Sequence, residues 1–248
     1  MNVLQLTDTH LRSDPAWRLY GHDVHARLQR ALDAIRPHAA GMDAIVVTGD
    51  LTHDEGDAAY AAFRAVLAEF DCPIRVIPGN HDVPAAFQRA FRGADTVAEQ
   101  FATRVGEWRL LCLDTQVPGA VHGAIGATQL QRVRDVLTQE EPRPTLIALH
   151  HPAAAVGTPW LDAHCAQDGA DLIELLADQA QVRALICGHV HQASDVDIRP
   201  GLRQLTTPAI APGFRPGATA FEIDDQAPGM RWLHLAPDGT FDTRVQFA

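Results

Sequence analysis

The sequence predicts an α/β fold built from two packed β-sheets. Strand-like and helix-like segments alternate over roughly the first 190 of the 248 residues. This alternation is typical of a largely parallel sheet covered by helices. From about Ser194 onward the pattern changes to short strands separated by turns, which predicts that the C-terminal end forms a second sheet packed on the first. A hydrophobic content of 46% and this length fit a single domain over residues 1–248.

Each element is predicted from its apolar pattern. Short apolar runs predict strands over 3–6, 44–48, 74–77, 108–114, 145–149 and 182–187, and the run AIVVT at 44–48 is also rich in β-branched residues. Apolar residues at helical spacing predict five helices, marked by Leu28/Leu32/Ile35, Tyr60/Phe63/Leu67/Phe70, residues 85–91, Leu130/Val133/Leu137 and Leu172/Leu175/Leu176. The C-terminal strand-like segments are 194–201, 202–208, 219–225 and 230–247. Within the last of these segments, Asp238-Gly239 between two alternating runs predicts a hairpin turn.

Composition excludes several classes of protein. The formal net charge of -11 argues against a nucleic-acid polymer as partner, because such binding depends on Lys and Arg contacts to phosphates. No apolar run approaches the roughly 20 residues that a membrane span needs. The N-terminus has no basic segment followed by an apolar one, so we expect no signal peptide and a cytoplasmic location.

The four cysteines fit a reducing compartment. No CxxC pair occurs, and Cys112 and Cys187 lie inside apolar strand-like runs. Buried, reduced thiols are therefore expected rather than a zinc or redox pair. The pattern around Cys165 predicts no environment for that residue.

Five predicted strands end in carboxylate, amide or imidazole side chains. In α/β sheets, ligands bind beyond the carboxyl ends of the strands. Carboxylate, amide and imidazole groups are poor core residues and good ligands for divalent metals. The residues at these strand ends are Asp8, His10, Asp50, Asn80, His81, Asp82, His150, His151, His189 and His191.

Seven of these residues suffice for a site with two metal ions. Such a site needs about eight protein ligand bonds if each ion keeps positions open for water and substrate. The seven are Asp8, His10, Asp50, Asn80, His150, His189 and His191, and they reach that number if Asp50 bridges both ions. The i, i+2 spacing of Asp8 and His10, and of His189 and His191, would place each pair on one face of an extended segment.

The charge of this predicted site favours an anionic substrate. Two divalent cations, two aspartates and a bridging hydroxide leave a net positive charge, which a phosphodiester monoanion would neutralise. Bound ions dominate the local field, so a phosphate ester can be attracted by a protein with a negative overall charge.

Structural roles are the alternative for each residue taken singly. Asp8 could be a turn residue, Asn80 a helix cap and His150 a buried packing residue, but the joint pattern at five strand ends favours a site. His53, His151 and His164 are candidates to support the ligands. Arg12 is a candidate phosphate contact, with a surface role as the alternative. The remaining histidines are expected at the surface or in packing: His22, His25, His38, His122 and His234.

The motifs DTH, GD, GNHD, HHP and GHVH, in this order over residues 8–191, resemble the calcineurin-like metallophosphoesterase superfamily. Other stretches are similar to bacterial class III cyclic nucleotide phosphodiesterases, namely AIRPHA, WLDAH, CGHVHQ and PGMRWLHLAPDGT. The resemblance implies a four-layer αββα sandwich of two packed mixed sheets, with the dinuclear site where the ends of both sheets meet.

The resemblance also distributes the ligands. It implies one ion on Asp8, His10, Asp50 and His191, and the other on Asp50, Asn80, His150 and His189. His150 is preferred over His151 by analogy and because it directly follows the strand TLIAL. The metals would be Mn, Fe or Zn.

The implied activity is hydrolysis of 3′,5′-cyclic AMP to 5′-AMP by attack of a metal-bridging hydroxide. Asn80, His81, His191 and Arg12 are the candidate substrate contacts. His81, oriented by Asp50 or Asp82, would stabilise the transition state or protonate the leaving oxygen. The catalytic residues are therefore expected to be His81, Asn80 and Asp50. The resemblance also points to a homodimer.

Two alternatives use the same fold. The chain could act on glycerophosphodiesters or other small phosphate esters, or it could be a metal-free scaffold that binds proteins. Relatives often carry Gln or His on the rim of the substrate pocket at the position aligned with Gly213, so this chain would lack that polar contact.

Overall fold

The computed structural model of the protein describes residues 1–93, 97–98 and 101–248. The strands are β1 (Asn2–Leu6), β2 (Ala44–Thr48), β3 (Ile74–Ile77), β4 (Val97–Ala98), β5 (Ala102–Val105), β6 (Trp108–Cys112), β7 (Thr145–Leu149), β8 (Val182–Cys187), β9 (Ser194–Arg199), β10 (Leu202–Thr206), β11 (Gly213–Phe214), β12 (Ile223–Asp224), β13 (Gly229–Leu235) and β14 (Phe241–Phe247). The helices are α1 (Val24–Ile35), α2 (Asp57–Leu67), α3 (Pro84–Phe91), α4 (Ala127–Gln139), α5 (Pro159–Asp162) and α6 (Gly169–Leu175), with a 3-10 helix over Arg36–Gly41.

Two six-stranded mixed sheets form the centre of the fold. The first sheet has the order β14-β13-β1-β2-β3-β4, and the second has the order β5-β6-β7-β8-β10-β9. Strands β1, β2 and β3 are parallel to one another, as are β6, β7, β8 and β10. Antiparallel strands close one edge of the first sheet and both edges of the second.

Alternating side chains of the central strands build separate cores. Val3 and Val46 point into the core between the two sheets, together with Leu146 and Ile186 from the second sheet. Their strand neighbours, such as Leu4 and Val47, point the other way and pack under α1, α2 and α3. Helices α4 and α6 cover the outer face of the second sheet. The layers are therefore helix, sheet, sheet, helix, and the predicted αββα sandwich is confirmed.

The C-terminal segment does not form the second sheet on its own, and that part of the prediction is wrong. The two sheets divide the N-terminal β-α units between them, with β1 to β3 in one and β6 to β8 in the other. The C-terminal strands then extend both sheets: β9 and β10 join the second, and β13 and β14 join the first. Pairing of β13 with β1 brings the two ends of the chain together, from Asn2 opposite His234 to Gln5 opposite Arg231.

Most element bounds agree with the sequence pattern, and the differences lie near turns. The strand predicted over 108–114 ends at Cys112, and the segment 219–225 contributes only the two-residue strand β12. Helix α2 ends at Leu67, although Phe70 still packs into the same core. The hairpin at Asp238-Gly239 is confirmed, with Gly239 at a φ of 85° between β13 and β14.

The cysteines follow the sequence expectation of buried thiols. Cys72, Cys112 and Cys187 are buried, and Cys165 is half-buried near the carbonyl oxygens of Ala154 and Leu161. Burial raises the pKa of the Cys165 thiol to about 12. Among the residues that the structure describes, no helix is both long enough and apolar enough to cross a membrane.

Candidate metal centre

The carboxyl ends of five strands from both sheets meet at one place. Backbone hydrogen bonds continue past the strand ends, from the Asp8 nitrogen to the Gly49 oxygen and from the Gly188 nitrogen to the His150 oxygen. A side chain links the sheets, since Nδ1 of His150 donates to the Thr48 carbonyl at 2.7 Å. The loops after β1, β2, β3, β7 and β8 therefore share one buried volume.

The first ligand group consists of Asp8, His10, Asp50 and His191, all of which are buried. His191 Nδ1 donates to the Pro212 carbonyl at 2.7 Å, so in the neutral ring Nε2 carries a free lone pair. That nitrogen lies 3.3 Å from Asp8 Oδ1 and 3.2 Å from His10 Nε2. His10 Nε2 lies in turn 3.5 Å from Asp50 Oδ2. A bound cation would stabilise acceptor atoms that lie so close together.

The second ligand group consists of Asp50, Asn80, His150 and His189. His150 donates through Nδ1, so its Nε2 lone pair faces Asn80 Oδ1 at 3.2 Å and Asp50 Oδ2 at 3.4 Å. His189 Nδ1 lies 3.0 Å from the same amide oxygen of Asn80. Four acceptor atoms thus converge from β2, β3, β7 and β8.

Asp50 belongs to both groups through a single oxygen. Its Oδ1 accepts a hydrogen bond from the His81 backbone nitrogen at 2.8 Å, which fixes the orientation of the carboxylate. Its Oδ2 then faces His10 on one side and His150 on the other, at nearly equal distances of 3.5 and 3.4 Å. This is the placement that a bridging ligand requires.

Asp8 is held in a similar way. Its Oδ2 accepts from the Thr7 hydroxyl at 2.6 Å and from the His189 backbone nitrogen at 3.1 Å. Its Oδ1 is buried and accepts no hydrogen bond from the described residues. A buried carboxylate oxygen without a donor costs folding free energy unless something else neutralises it.

Burial sets the protonation states of two of the imidazoles. It lowers the pKa values of His10 and His189 well below the ordinary value, which keeps both imidazoles neutral. Burial alone would raise the pKa of Asp50, but the nearby His150 outweighs it and holds that pKa well below the usual range. Burial alone would lower the pKa of His150, but Asp50 outweighs it and raises that pKa to about 9, so His150 would release a proton when it binds a metal ion.

The backbone at the ligands is left-handed, and the extended geometry predicted for the two i, i+2 pairs is wrong. The φ angles are 53° at Asp8, 47° at His10, 50° at Asp50, 68° at His189 and 52° at His191. Non-glycine residues rarely adopt this region, and such residues are concentrated at functional sites. Asp8 and His10 do reach one ligand group, whereas His189 and His191 are directed to different groups.

Glycines before two of the motifs permit close packing. A Cβ on Gly79 would lie 2.5 Å from the Asp50 backbone nitrogen and 2.7 Å from His150 Cε1. A Cβ on Gly49, whose φ is 94°, would lie 2.6 Å from the His150 ring. The loops after β2 and β3 can therefore approach His150 only because no side chain stands there.

His81 is oriented by Asp54, and the prediction that Asp50 or Asp82 orients it is wrong. Its Nδ1 lies 3.2 and 3.3 Å from the two carboxylate oxygens of Asp54. Asp50 contacts only the backbone nitrogen of His81. The His81 ring also stacks on His53 at 4.4 Å with an interplanar angle of 15°. Asp54 itself has a φ of 50°, so its loop is built to present this side chain.

Asp82 has a different, buried task. Its carboxylate accepts from the backbone nitrogens of Leu51, Thr52 and Gly79 at 2.9 to 3.1 Å, and from the Tyr60 hydroxyl at 2.9 Å. Burial raises the pKa of Asp82 to about 7. The residue therefore ties the β2 loop to the β3 loop and has no access to a substrate.

The supporting candidates have distinct positions. Both ring nitrogens of His151 are occupied, Nδ1 by the Thr115 hydroxyl at 2.8 Å and Nε2 by the Val121 carbonyl at 3.0 Å. His53 Nδ1 lies 2.9 Å from His10 Nδ1, behind the first ligand group.

The structure does not bring Arg12 into the cavity with the other candidate substrate contacts. Arg12 donates to the His53 carbonyl at 2.9 Å and lies over the Trp17 ring, 5.2 Å from its centroid. Asn80, His81 and His191 do line the cavity, and His164 lines it as well.

A cavity of about 230 Å³ opens next to both ligand groups. One side is formed by His10, Asp50, Asn80, His53, His81, His189 and His191, and the other by Leu19, Tyr20, Val121, Trp160, Leu161, His164, Phe214 and Phe221. Gly213 is buried and does not line this cavity. A Cβ on Gly213 would lie 2.7 Å from Cδ of Gln226, whose amide donates to the His191 carbonyl. A Gln or His at this position, as relatives often carry, would thus require the Gln226 side chain to move.

The donor set fits divalent metal ions. It contains buried carboxylate oxygens, an amide oxygen and imidazole nitrogens, and the second ring nitrogens of His150 and His191 are fixed by backbone carbonyls. Such outer contacts orient imidazole ligands in metal sites. Two clusters whose ligand atoms lie within 4.8 Å of one another consist of these residues alone, Asp8/His10/His191 and Asp8/Asp50/His150, and two more add neighbouring histidines, His150/His151/His189 and His10/His53/His81.

Comparison with known proteins places these residues in context. A family model described as calcineurin-like phosphoesterase matches residues 1–193. The 3′,5′-cyclic adenosine monophosphate phosphodiesterase CpdA of Escherichia coli K12 is 39% identical over 246 residues, covering 99% of this chain and 89% of that protein. The protein of the same name in Pseudomonas aeruginosa is 35% identical, covering 98% of this chain and 88% of its own length.

A solved structure shows the same fold at low sequence identity. The dimetal phosphatase from Danio rerio superposes with a TM-score of 0.66 and 16% identity, and the match covers 94% of each chain. This chain therefore shares its fold with that dimetal phosphatase.

Proposed function

The chain belongs to the calcineurin-like phosphoesterase family, and from this premise we propose that it hydrolyses 3′,5′-cyclic AMP to 5′-AMP. The predicted family and the predicted enzyme class, a phosphodiesterase, are confirmed by relatives that are 35% and 39% identical over nearly the whole chain. The names of these relatives are also the reason for proposing cyclic AMP as the substrate. The observation that carries the mechanism is Asp50 Oδ2, which faces both ligand groups at nearly equal distances.

The family uses a dinuclear divalent metal site, and we assign its two ions to the two ligand groups. The first would be held by Asp8, His10, Asp50 and His191, and the second by Asp50, Asn80, His150 and His189. When bound, the ions would lower the pKa of a bridging water and supply the attacking hydroxide. The oxygen and nitrogen ligands, without thiolate, fit Mn, Fe or Zn.

The side chains around the cavity would then position the phosphate. Asn80 has an amide nitrogen as well as the oxygen assigned to the metal, so it can donate to a phosphoryl oxygen. His191 and His81 line the same cavity, with ring centroids 5.2 and 5.1 Å from that of His10. Cleavage that gives 5′-AMP breaks the bond between phosphorus and the 3′ oxygen of the ribose, with attack from the opposite side.

His81 is the group suited to act on the leaving oxygen. With Nδ1 directed at the Asp54 carboxylate, its proton lies on that side when the ring is neutral. Protonation of Nε2 gives an imidazolium that Asp54 stabilises, and Nε2 can pass its proton to the 3′ oxygen as that oxygen departs. His81 is thus proposed as general acid, and Asp54 as the residue that positions it.

The setting of the reaction is proposed from sequence features. A cytoplasmic location fits the reduced cysteines, and a homodimer remains the proposed assembly. The substrate is a small phosphodiester, in keeping with a formal net charge of -11 that disfavours nucleic-acid polymers.

A substrate panel tests the proposal. Protein reconstituted with Mn²⁺ is assayed on cyclic AMP, on bis(p-nitrophenyl) phosphate and on a glycerophosphodiester, with the products identified by chromatography. We expect the highest kcat/KM on cyclic AMP and 5′-AMP as the product. Formation of 3′-AMP would refute the assigned bond cleavage, and a preference for the glycerophosphodiester would favour the alternative substrate.

Two controls accompany this panel. The variant Asp50→Asn, purified in the same way, measures any contaminating host phosphodiesterase. Metal analysis of protein prepared without chelator tests the scaffold alternative, because far fewer than two ions per chain would contradict the dinuclear assignment.

A further inference from the structure

The cavity beside the ligand groups has an apolar side that the proposed chemistry does not use. We call the four rings of Tyr20, Trp160, Phe214 and Phe221 the aromatic wall. They come from three separate segments: the loop before α1, helix α5, and the chain from β11 to β12. All four line the same cavity as His81 and Asn80.

The aromatic wall is continuous with the metal side of the cavity. Phe214 stacks on the His191 ring with centroids 4.2 Å apart and an interplanar angle of 15°. Phe221 then contacts the other three rings, at 5.5 Å from Phe214, 5.7 Å from Trp160 and 5.1 Å from Tyr20. A ligand held by its phosphate at the ligand groups therefore has the aromatic wall as its immediate neighbour.

The two outer rings of the aromatic wall, Tyr20 and Phe221, are exposed and contact each other. Phe214 is 8% exposed, whereas Tyr20 and Phe221 are 51% and 50% exposed. Tyr20 also has a φ of 50°, a conformation that is uncommon for a non-glycine residue. Adjacent exposed aromatic rings at the mouth of a cavity are typical of a ligand-binding surface rather than of a core.

We infer that the aromatic wall binds the nucleobase of the substrate. The inference rests on the proposed function, because it places a base next to a phosphate held at the ligand groups. In a cyclic nucleotide one ribose separates the phosphate from the base, so the two subsites must be adjacent. A base is planar, uncharged and aromatic, and it stacks on Phe, Tyr and Trp rings. Among the described lining residues, Asp50 is the sole carboxylate and no Lys or Arg occurs, so the wall side is uncharged.

The ring spacing argues against a quaternary ammonium group as the occupant. Such a cation is bound inside an aromatic cage, with rings around it at up to about 6 Å from each centroid. In the aromatic wall, neighbouring rings contact one another at 5.1 to 5.7 Å, so no space for a cation remains between them. The rings are tilted to one another by 53° to 73°, so a flat group would stack on the face of one exposed ring and meet the neighbouring rings at their edges.

The aromatic wall also lies partly outside the family match. The matched region ends at residue 193, whereas Phe214 and Phe221 follow it. The ligand groups, Tyr20 and Trp160 lie within the match, so only half of the aromatic wall is encoded outside the matched part of the chain.

A binding comparison tests the inference without depending on turnover. Binding of AMP and of ribose 5-phosphate to the metal-loaded protein is measured by calorimetry, since the two ligands share the phosphate and differ in the base. We expect AMP to bind on the order of tenfold more tightly. The variants Tyr20→Ala and Phe221→Ala should each weaken AMP binding by about three- to tenfold and leave ribose 5-phosphate binding unchanged.

Phe247→Ala is the matched control. Phe247 lies in β14, away from the cavity, and is 48% exposed, close to the 50% of Phe221. This variant should bind both ligands as the wild type does. Equal binding of AMP and ribose 5-phosphate by the wild type, or an equal loss for both ligands in the cavity variants, would overturn the inference.

The outcome also separates this inference from the proposed function. Base-dependent binding without hydrolysis of cyclic AMP would refute the activity and leave the aromatic wall as a base subsite. Hydrolysis of cyclic AMP without base-dependent binding would refute the inference alone. Tighter binding of glycerophosphocholine than of AMP, lost in Tyr20→Ala and Phe221→Ala, would replace the base by a cationic head group.

Discussion

Asp50 and His81 lie next to each other at the cavity and have separable roles. We expect Asp50→Ala to abolish turnover and metal content together, because both ligand groups lose the oxygen they share. His81→Ala should lower kcat by about 10²- to 10⁴-fold, the range for a general acid, and keep the metal. Metal analysis alongside steady-state kinetics checks both results. A fully active His81→Ala variant would contradict its assigned role.

Asp54 provides a sharper test at this scale. Asp54→Asn keeps the size of the side chain and removes the charge that stabilises protonated His81, so we expect kcat to fall by about tenfold with metal content unchanged. In the His81→Ala background the same substitution should have no further effect, which a double-mutant cycle measures. Asp57→Asn, at an exposed aspartate three residues later, is the matched control. Additive losses would mean that Asp54 acts independently of His81.

The residue types of the candidate site could be predicted from the sequence, but their local geometry could not. Strand ends rich in Asp, Asn and His indicate the ligand groups directly. The left-handed φ angles at Asp8 and His10 could not be predicted, because Asp and His adopt that region more often than most residues but still only in a small minority of cases. Asp54 was missed because it lies 27 residues from His81, and their contact exists only in the folded chain.

At the scale of elements, buried strands were the easiest to predict. The strands β2, β3, β7 and β8 follow the predicted bounds because each is a short apolar run followed directly by polar motif residues. It was harder to predict which sheet each strand joins, because the apolar pattern of a strand indicates which of its faces are buried but not which strand lies beside it. The pairing of β13 with β1, for example, joins strands from opposite ends of the chain, and no local pattern indicates such a partner.

The loop from β3 to α3 requires a glycine at position 79, and the structure shows why: a side chain there would collide with Asp50 and His150. Gly79→Ala would place a methyl group within 2.7 Å of the His150 ring and closer still to the Asp50 backbone. We expect the free energy of unfolding to fall by about 1–3 kcal/mol, the usual cost of overpacking, and the metal content to fall with it. Thermal unfolding and metal analysis measure the two effects.

Gly56→Ala is the control for this substitution. Gly56 precedes α2, and a Cβ there would have no atom within 4 Å. Alanine is less favourable than glycine at a helix N-cap, so stability should fall by about 1 kcal/mol or less, and the metal content should not change. Equal losses of stability and metal content in the two variants would show that the metal site does not depend on close packing around Gly79.

At the scale of the whole molecule, the ligand groups connect the two sheets. Asp8, Asp50 and Asn80 follow strands of the first sheet, while His150 and His189 follow strands of the second. Bound ions would therefore hold the sheets together at one end, where the core between them gives way to polar side chains. The same arrangement leaves Asp8 Oδ1 buried without a donor among the described residues when no cation neutralises it.

Removal of the metal should accordingly destabilise the entire chain. A ligand that binds only the folded state at 100 times its dissociation constant contributes about 2.7 kcal/mol, and at this chain length each kcal/mol shifts Tm by about 2–4 °C. We expect chelation to lower Tm by about 5–10 °C in a single cooperative transition, because both sheets share the site and the predicted single domain. Scanning calorimetry of Asp50→Ala with and without chelator provides the control, since that variant should show no shift. A wild-type protein that unfolds in two steps, or whose Tm is unchanged by chelation, would contradict the coupling of the two sheets through the metal centre.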